Sequence, residues 1–148
     1  MTHVARDPDF EARIRASFAR QAFMGMLGAR LERIAPGEVT IALPFRADLT
    51  QQNGFLHAGV VTSVVDSACG YAALSVMEPG ANVLSVEFKV NLLAPAQGTE
   101  FLAVGRVVRS GRTLVVVTGE LRALSGGGEI VVALMQGTMI GRSVSPTV

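Results

Sequence analysis

The segment from His57 to about Met77 limits what this chain can fold into more than any other. Small residues are frequent in it, and they allow a sheet or a second chain to approach a helix backbone closely. Glu78-Pro79-Gly80 predicts the end of the helix. The helix itself is predicted by apolar residues at spacings of three and four: Val60, Val61, Val64, Val65, Ala68, Ala72 and Ala73. We therefore expect a long, mostly buried helix against which the rest of the chain packs.

Two elements with weaker sequence signals, a helix and a β-hairpin, are predicted before this helix. An N-terminal helix is expected to begin with Asp7 as its N-cap and Pro8 at its first position. It has an apolar residue at every fourth position: Phe10, Ile14, Phe18 and Ala22. The next run, 31–45, alternates apolar and polar residues around a Pro36-Gly37 turn, which predicts a β-hairpin. Residues 46–56 follow neither period and are interpreted as a loop.

Four strand-like runs follow the long helix, separated by short turns that contain Gly or Pro. They span residues 83–93, 101–108, 113–124 and 129–140. Short turns between successive strands favour an antiparallel meander. Because these strands are segregated from the long helix along the chain, the predicted fold class is α+β.

Composition excludes several classes of protein. With 148 residues, 49% of them hydrophobic, the chain suits one compact domain. A net charge of +1 provides no general attraction for nucleic acid, and no stretch has the length and apolarity of a transmembrane helix. The single cysteine, Cys69, can form neither an internal disulfide nor a multi-thiolate metal site, which indicates a cytoplasmic protein. The mean hydropathy of +0.42 predicts apolar surface buried between subunits of a homo-oligomer.

His57 and Asp66 are the residues that suggest chemistry. At a helix start after His57, the N–H groups of Ala58, Gly59 and Val60 would be free to polarise a carbonyl oxygen. Asp66 interrupts an apolar run, where a carboxylate is rare unless it has a partner or a function. Nine residues of helix separate the two by about 13 Å, so cooperation would require a second subunit. The chemistry indicated is acyl transfer to water, with Asp66 attacking the carbonyl or deprotonating a water.

Several motifs occur in a characteristic order between residues 23 and 141. They are QQNGFLHAG at 51–59, Asp66, SVE at 85–87, Pro95 and RSGRT at 109–113. Together they resemble the PaaI-like (phenylacetic-acid-degradation type) thioesterases of the hotdog fold. The resemblance implies a long central helix wrapped by a curved antiparallel β-sheet, in a single domain over residues 23–148, after an N-terminal helical extension over 1–22. It also implies dimers that join their sheets, pair into homotetramers and hold active sites between subunits.

The same resemblance implies a role for each motif residue. Asp66 would be the general base or the nucleophile, and the N–H groups of Ala58 and Gly59 would be the oxyanion donors. Residues that orient the thioester or the lytic water would be His57, Gln51 and Ser85. Residues that contact the substrate or coenzyme A would be Asn53, Gly54, Arg109 and Arg112. The expected reaction is hydrolysis of a small, medium-chain or aromatic acyl-CoA, with no metal and no cofactor besides the coenzyme A of the substrate.

The acyl group is left open by two departures from the family pattern. Ala58 stands where Gly is common, and Gln51 stands where Asn is frequent, so both can reshape the acyl pocket. An alternative function is a non-catalytic hotdog module that binds acyl-CoA as a sensor or regulator. The carboxylate of Asp66 argues against it. Candidate pocket walls, each equally plausible as core, are Phe23, Met24, Met26, Leu27, Phe55, Tyr71 and Met77.

Overall fold

The computed structural model describes residues 2–143. Within this range the helices are α1 (Phe10–Arg20), α2 (Ala22–Leu27) and α3 (Ala58–Leu74), with a 3-10 turn at Ala47–Leu49. The strands are β1 (Arg30–Ala35), β2 (Glu38–Pro44), β3 (Asn82–Leu92), β4 (Glu100–Ser110), β5 (Leu114–Ser125) and β6 (Gly128–Arg142). The predicted hairpin and the four later strands are confirmed. The long helix is confirmed as well, although it ends at Leu74, before the Pro79-Gly80 signal.

The start of the N-terminal helix differs from the prediction. Asp9 occupies the N-cap position of α1, and Asp7 lies in the turn before it. The Asp7 carboxylate accepts a hydrogen bond from the Asp9 N–H (2.9 Å) and forms an ion pair with Arg13 (3.2 Å). The prediction that Asp7 is the N-cap was therefore wrong, because the Asp7 side chain makes these contacts in the turn that precedes the helix. The helix also breaks at Gln21, so Ala22 begins α2 instead of ending α1.

All six strands that the structure describes in residues 2–143 form one antiparallel sheet, in the order β1-β2-β4-β5-β6-β3. This sheet, packed against α3, confirms the α+β class. The simple meander of four strands is wrong, because β4 pairs with β2 and β3 crosses to the far edge to pair with β6. Because of this crossing, one continuous sheet reaches around both sides of α3. The helix contacts five of its strands: β2, β3, β4, β5 and β6.

The sheet approaches α3 closely where small residues face each other. Alternate residues of β5 are buried under the helix: Val115, Val117, Gly119, Leu121 and Ala123. On β4, a Cβ placed on Gly105 would lie 2.4 Å from the carbonyl carbon and oxygen of Ala68. The prediction that small residues in α3 permit close backbone approach is confirmed, and the glycines of the sheet are the other half of that contact.

Gly105→Ala is expected to lower the free energy of unfolding by about 3 kcal/mol, because the methyl group would overlap the helix backbone, which cannot move aside alone. The matched control is Gly25→Ala in α2, where an added Cβ meets nothing within 4 Å. That change is expected to be neutral or to stabilise by roughly 0.5 to 1 kcal/mol. Urea unfolding of both variants measures the difference, and equal stabilities would contradict this packing.

The edge strand β3 is unusually apolar and exposed. Its eleven residues pair with β6 on one side only. Large hydrophobic side chains along it are between 41% and 54% exposed: Leu84, Val86, Phe88 and Leu92. A long apolar edge of this kind readily pairs with a strand of another chain.

Candidate active site

Asp66 lies in the middle of α3, on the side that faces the edge strand β3. Its Oδ1 accepts a hydrogen bond from the Ser85 hydroxyl at 2.8 Å. The Ser85 Oγ is also 3.3 Å from the sulfur of Met139 on β6, which helps to hold the hydroxyl in place. The structure therefore brings together Asp66 and Ser85, which are separated by nineteen residues in the sequence.

Burial changes the acidity of the groups around Asp66. Loss of hydration raises the pKa of Asp66, and the hydrogen bond from Ser85 partly opposes this rise. A carboxylate with a raised pKa is a better proton acceptor than an ordinary aspartate. Burial, and then the nearby charge of Asp66, raises the pKa of Cys69 to about 12. Cys69 is therefore a protonated thiol at neutral pH and is not the nucleophile.

Ser85→Ala is expected to raise the pKa of Asp66 further, because the hydroxyl that stabilises the carboxylate is removed while the burial remains. If ionised Asp66 is the working form, the acidic limb of the kcat/KM profile moves to higher pH. NMR titration of the Asp66 carboxyl carbon measures the pKa directly. Ser125→Ala, at the exposed end of β5, is the control and should leave the pKa of Asp66 unchanged. A pKa that stays the same or falls in Ser85→Ala would show that the hydroxyl does not stabilise the charge.

The start of α3 is organised by His57. His57 is the N-cap residue, and its Nδ1 accepts a hydrogen bond from the Gly59 N–H at 2.8 Å. The N–H groups of Val60 and Val61 donate to the His57 carbonyl oxygen. Of the predicted donors at this helix start, only the Ala58 N–H has no acceptor among residues 2–143. The expectation that Gly59 and Val60 also present free N–H groups is therefore not met in this structure.

The loop before α3 holds itself in a tight turn. The Gln51 side chain accepts a hydrogen bond from the Asn53 N–H, and the Gly54 N–H donates to the Gln51 carbonyl oxygen at 3.1 Å. Gly54 has a φ of +83°, which a residue with a side chain rarely adopts. This turn places Gln51 and Ala58 in the wall of an apolar cavity of about 490 Å³. Asn53 and Gly54 are exposed beside it.

The two predicted arginines lie in different surroundings. Arg112 lines a cavity of about 330 Å³ together with Arg6 and Arg142, and Arg109 does not line it. Arg6 forms an ion pair with Glu78 at 3.2 Å. Within residues 2–143, Arg112 and Arg142 form no ion pair. Arg142 was missed by the sequence analysis, because a lone arginine at a strand end carries no motif.

The Asp66 cavity contains further residues that the motifs did not indicate. It has a volume of about 350 Å³ and lies between α1, α3 and the start of β3. Besides Asp66 and Ser85, its wall includes Ser17, Gln21 and Tyr71. Tyr71 was already a candidate pocket wall, whereas Ser17 and Gln21 lie in a helix that carried no chemical signal. Of the other candidates, Met24 and Leu27 are buried core residues, and Phe23 and Met26 are exposed.

The helix start and the carboxylate do not meet within one chain. Ala58 and Asp66 are eight residues apart on a continuous helix, about 12 Å along its axis. They also line separate cavities. In the described residues, no three His, Cys, Asp or Glu side chains are grouped as a metal site would need. None of the helices in residues 2–143 combines the length and apolarity needed to cross a membrane.

An antiparallel sheet around one long helix, with a carboxylate in the middle of that helix and a histidine at its start, defines a hotdog-fold protein of the thioesterase class. A family model described as the thioesterase superfamily matches residues 53–130, which is more than half of the chain. The chain therefore belongs to the thioesterase superfamily.

Similarity to individual proteins supports this assignment. A crystal structure of a thioesterase family protein from Silicibacter pomeroyi has a TM-score of 0.88 and 50% identity, over 89% of this chain and 97% of that one. Acyl-coenzyme A thioesterase 13 of Homo sapiens is 29% identical over 73% of this chain and 78% of its own length. The E. coli PaaI protein of the phenylacetic acid degradation operon has a TM-score of 0.79 and 18% identity, over 92% of this chain and 95% of that one, and shares the fold.

Proposed function

We propose that this protein is an acyl-CoA thioesterase that hydrolyses a small, medium-chain or aromatic acyl-CoA to the free acid and coenzyme A. The observation that carries the proposal is the half-buried Asp66 carboxylate, which has a raised pKa and is held by Ser85 at the wall of a cavity. A buried carboxylate is costly to keep unless it has a function. The relationship to acyl-coenzyme A thioesterase 13 supports coenzyme A as the leaving group.

The working unit in this proposal is a dimer that pairs the two β3 edges. Ser85 and its partner Asp66 lie near the start of β3, whereas the apolar cavity at the start of α3 includes Leu92 and Leu93 at its end. These two ends are about 23 Å apart along the strand. In an antiparallel pair of β3 strands, the start of one lies beside the end of the other. Asp66 of one subunit then faces the Ala58 N–H of its partner.

The chemistry follows from this pairing. The thioester carbonyl oxygen accepts a hydrogen bond from the Ala58 N–H, at the positive end of α3. Asp66 takes a proton from a water, the water oxygen bonds to the carbonyl carbon, and the carbonyl becomes an oxyanion. The oxyanion collapses, the carbon–sulfur bond breaks, and the departing thiolate receives the proton from Asp66. Direct attack by Asp66 would instead form an anhydride that water then hydrolyses.

The other predicted residues have supporting roles in the proposal. His57 fixes the helix start, and rotation of its ring would release the Gly59 N–H as a second oxyanion donor. Gln51 holds the carbonyl or the lytic water, while Asn53 and Gly54 shape the entrance. Arg112, with Arg142 beside it, is suited to the phosphates of coenzyme A. Arg109 lines no part of that cavity and is the weaker candidate. A dimer of dimers, located in the cytoplasm, completes the proposal.

A panel of acyl-CoAs tests this function by release of free thiol. Short, long and aromatic thioesters are compared at equal concentration, and we expect saturable turnover of at least one. Absence of turnover with every member would contradict the enzyme. Saturable acyl-CoA binding without turnover would instead support the non-catalytic module, a sensor or regulator.

A further inference from the structure

The cavity beside Asp66 is closed on one side by α1, which lies outside the residues that match the family model. Its wall is mostly polar, unlike the apolar cavity at the start of α3. Eight of its eleven lining residues carry a polar side chain: Ser17, Arg20, Gln21, Asp66, Ser67, Tyr71, Asn82 and Ser85. A purely hydrocarbon acyl chain would displace water from this wall and offer no hydrogen bond in its place.

Tyr71 is held in the wall of this cavity by contacts with α1. Its ring packs against Phe18 of α1 with centroids 5.8 Å apart, and its hydroxyl lies 3.3 Å from the Ser17 hydroxyl. Burial raises the pKa of Tyr71, so its phenol stays protonated at neutral pH. A neutral phenol and a serine hydroxyl can each donate or accept one further hydrogen bond.

Gln21 supplies a polar atom without a partner. It lies at the break between α1 and α2 and lines the same cavity. Its Oε1 is buried and has no hydrogen-bond partner among residues 2–143. Buried amide groups are nearly always paired in folded proteins, because an unpaired one keeps the full cost of its lost hydration. A partner brought by a ligand would remove this cost.

We propose that Ser17, Gln21 and Tyr71 determine acyl specificity by selecting short acyl groups that carry a hydroxyl. This inference rests on the proposed thioesterase function. Tyr71 follows Asp66 by five residues on α3, a rise of about 7.5 Å along the helix axis, and both side chains line the same cavity, so a short acyl chain can reach from one to the other. A hydroxyl both donates and accepts, and it therefore satisfies the phenol, the serine and the amide in either orientation of the amide.

The acyl group that this cavity selects is expected to carry no charge, for an electrostatic reason. Arg20 is the cation in the cavity wall, and its side chain is exposed, so water and salt screen its charge. A carboxylate beside Tyr71 would lose its hydration against neutral hydroxyl and amide groups, and the screened charge of Arg20, although it acts on Tyr71, would offset only part of that loss. The carboxylate would also share the cavity with the Asp66 charge. An acyl group that ends in a carboxylate is therefore expected to be a poor substrate.

Three thioesters of equal chain length test the inference: hexanoyl-CoA, 6-hydroxyhexanoyl-CoA and adipoyl-CoA. We expect kcat/KM to be about tenfold higher for the hydroxyl compound than for hexanoyl-CoA, and lowest for adipoyl-CoA. Tyr71→Phe and Gln21→Leu each keep the shape of the wall and should bring the first ratio close to one. Gln136→Leu, an exposed glutamine of β6 outside the cavity, is the matched control and should keep it. Point changes are preferred to removal of α1, because its Ile14 is fully buried in the core.

Calorimetric binding of the same thioesters to Asp66→Asn separates failure of this inference from failure of the proposed function. Tenfold tighter binding of the hydroxyl compound, lost in Asp66→Asn combined with Tyr71→Phe, supports the inference even if the natural chain hydrolyses none of the three. Turnover with equal kcat/KM for hexanoyl-CoA and 6-hydroxyhexanoyl-CoA would overturn the inference and leave the thioesterase intact. Preference for adipoyl-CoA, or a preference for the hydroxyl that neither variant changes, would also overturn it.

Discussion

Asp66→Asn is expected to lower kcat by about 10³-fold, because an amide can neither accept the proton of a water nor attack a thioester. The amide has nearly the shape of the carboxylate and can still accept the hydrogen bond from Ser85. Steady-state thiol release from the best substrate of the panel measures the loss. The matched control is Asp48→Asn, an exposed aspartate that forms a surface ion pair with Arg46 and should keep full activity.

The stability of Asp66→Asn distinguishes a catalytic loss from a folding defect. Burial raises the pKa of Asp66 in the folded chain. A raised carboxyl pKa stabilises the fold below the pKa of the unfolded chain, and this contribution is lost as the pH rises through the folded pKa. At neutral pH the ionised side chain therefore opposes folding, and Asp66→Asn should unfold at the same or a higher temperature. Unchanged turnover, or a marked fall in Tm, would contradict the role given to Asp66.

Ala58→Pro is expected to lower kcat by about 10²-fold, because it deletes one oxyanion donor. Proline is well tolerated at the first position of a helix, which Ala58 occupies in α3. The preceding His57 already has φ −61° and ψ 139°, as a residue before proline requires. No hydrogen bond is lost within residues 2–143, since the Ala58 N–H has no acceptor there. Ala47→Pro, at the start of the exposed 3-10 turn, is the matched control.

Mixed dimers of these two variants test whether each site takes residues from both subunits. In a dimer of one Asp66→Asn chain and one Ala58→Pro chain, one site carries both changes and the other carries neither. Random reassociation of equal amounts is then expected to restore about a quarter of the natural activity. Neither variant alone can give this result. If both residues served the same chain, the mixture would stay as inactive as its components, and the shared site would be wrong.

The edge strand offers an independent check on the same dimer. Phe88, in the middle of β3, is 41% exposed and faces the side of the sheet that packs on α3. Phe88→Asp places a charge where the proposal buries an apolar contact, so it should give monomers by sedimentation. Because a monomer lacks the partner's half of the site, these monomers should also lack turnover. Active monomers would show that the site is complete in one chain.

The elements that could be predicted are those that depend on residues close together in the sequence. The spacing of valines and alanines from Val60 to Ala73 led to α3, and the Pro36-Gly37 turn led to the β1–β2 hairpin, because both depend on neighbours within a few residues. The pairing of β3 with β6 could not be predicted in this way. Short turns favour pairing of successive strands, whereas β3 lies at the far edge of the sheet and pairs with a segment that is distant in the sequence.

The same distinction applies to the residues of the candidate site. The sequence by itself determined the residue types, a carboxylate inside an apolar helix and a histidine at its start, since each is conspicuous against its neighbours. The tertiary structure decided which groups meet: Asp66 with Ser85, Tyr71 with Ser17, and the Gly59 N–H with His57 Nδ1. It also decided that α1 closes the Asp66 cavity. The physical reason is that periodicity and capping act between near neighbours, whereas a cavity and its hydrogen bonds depend on how distant segments pack.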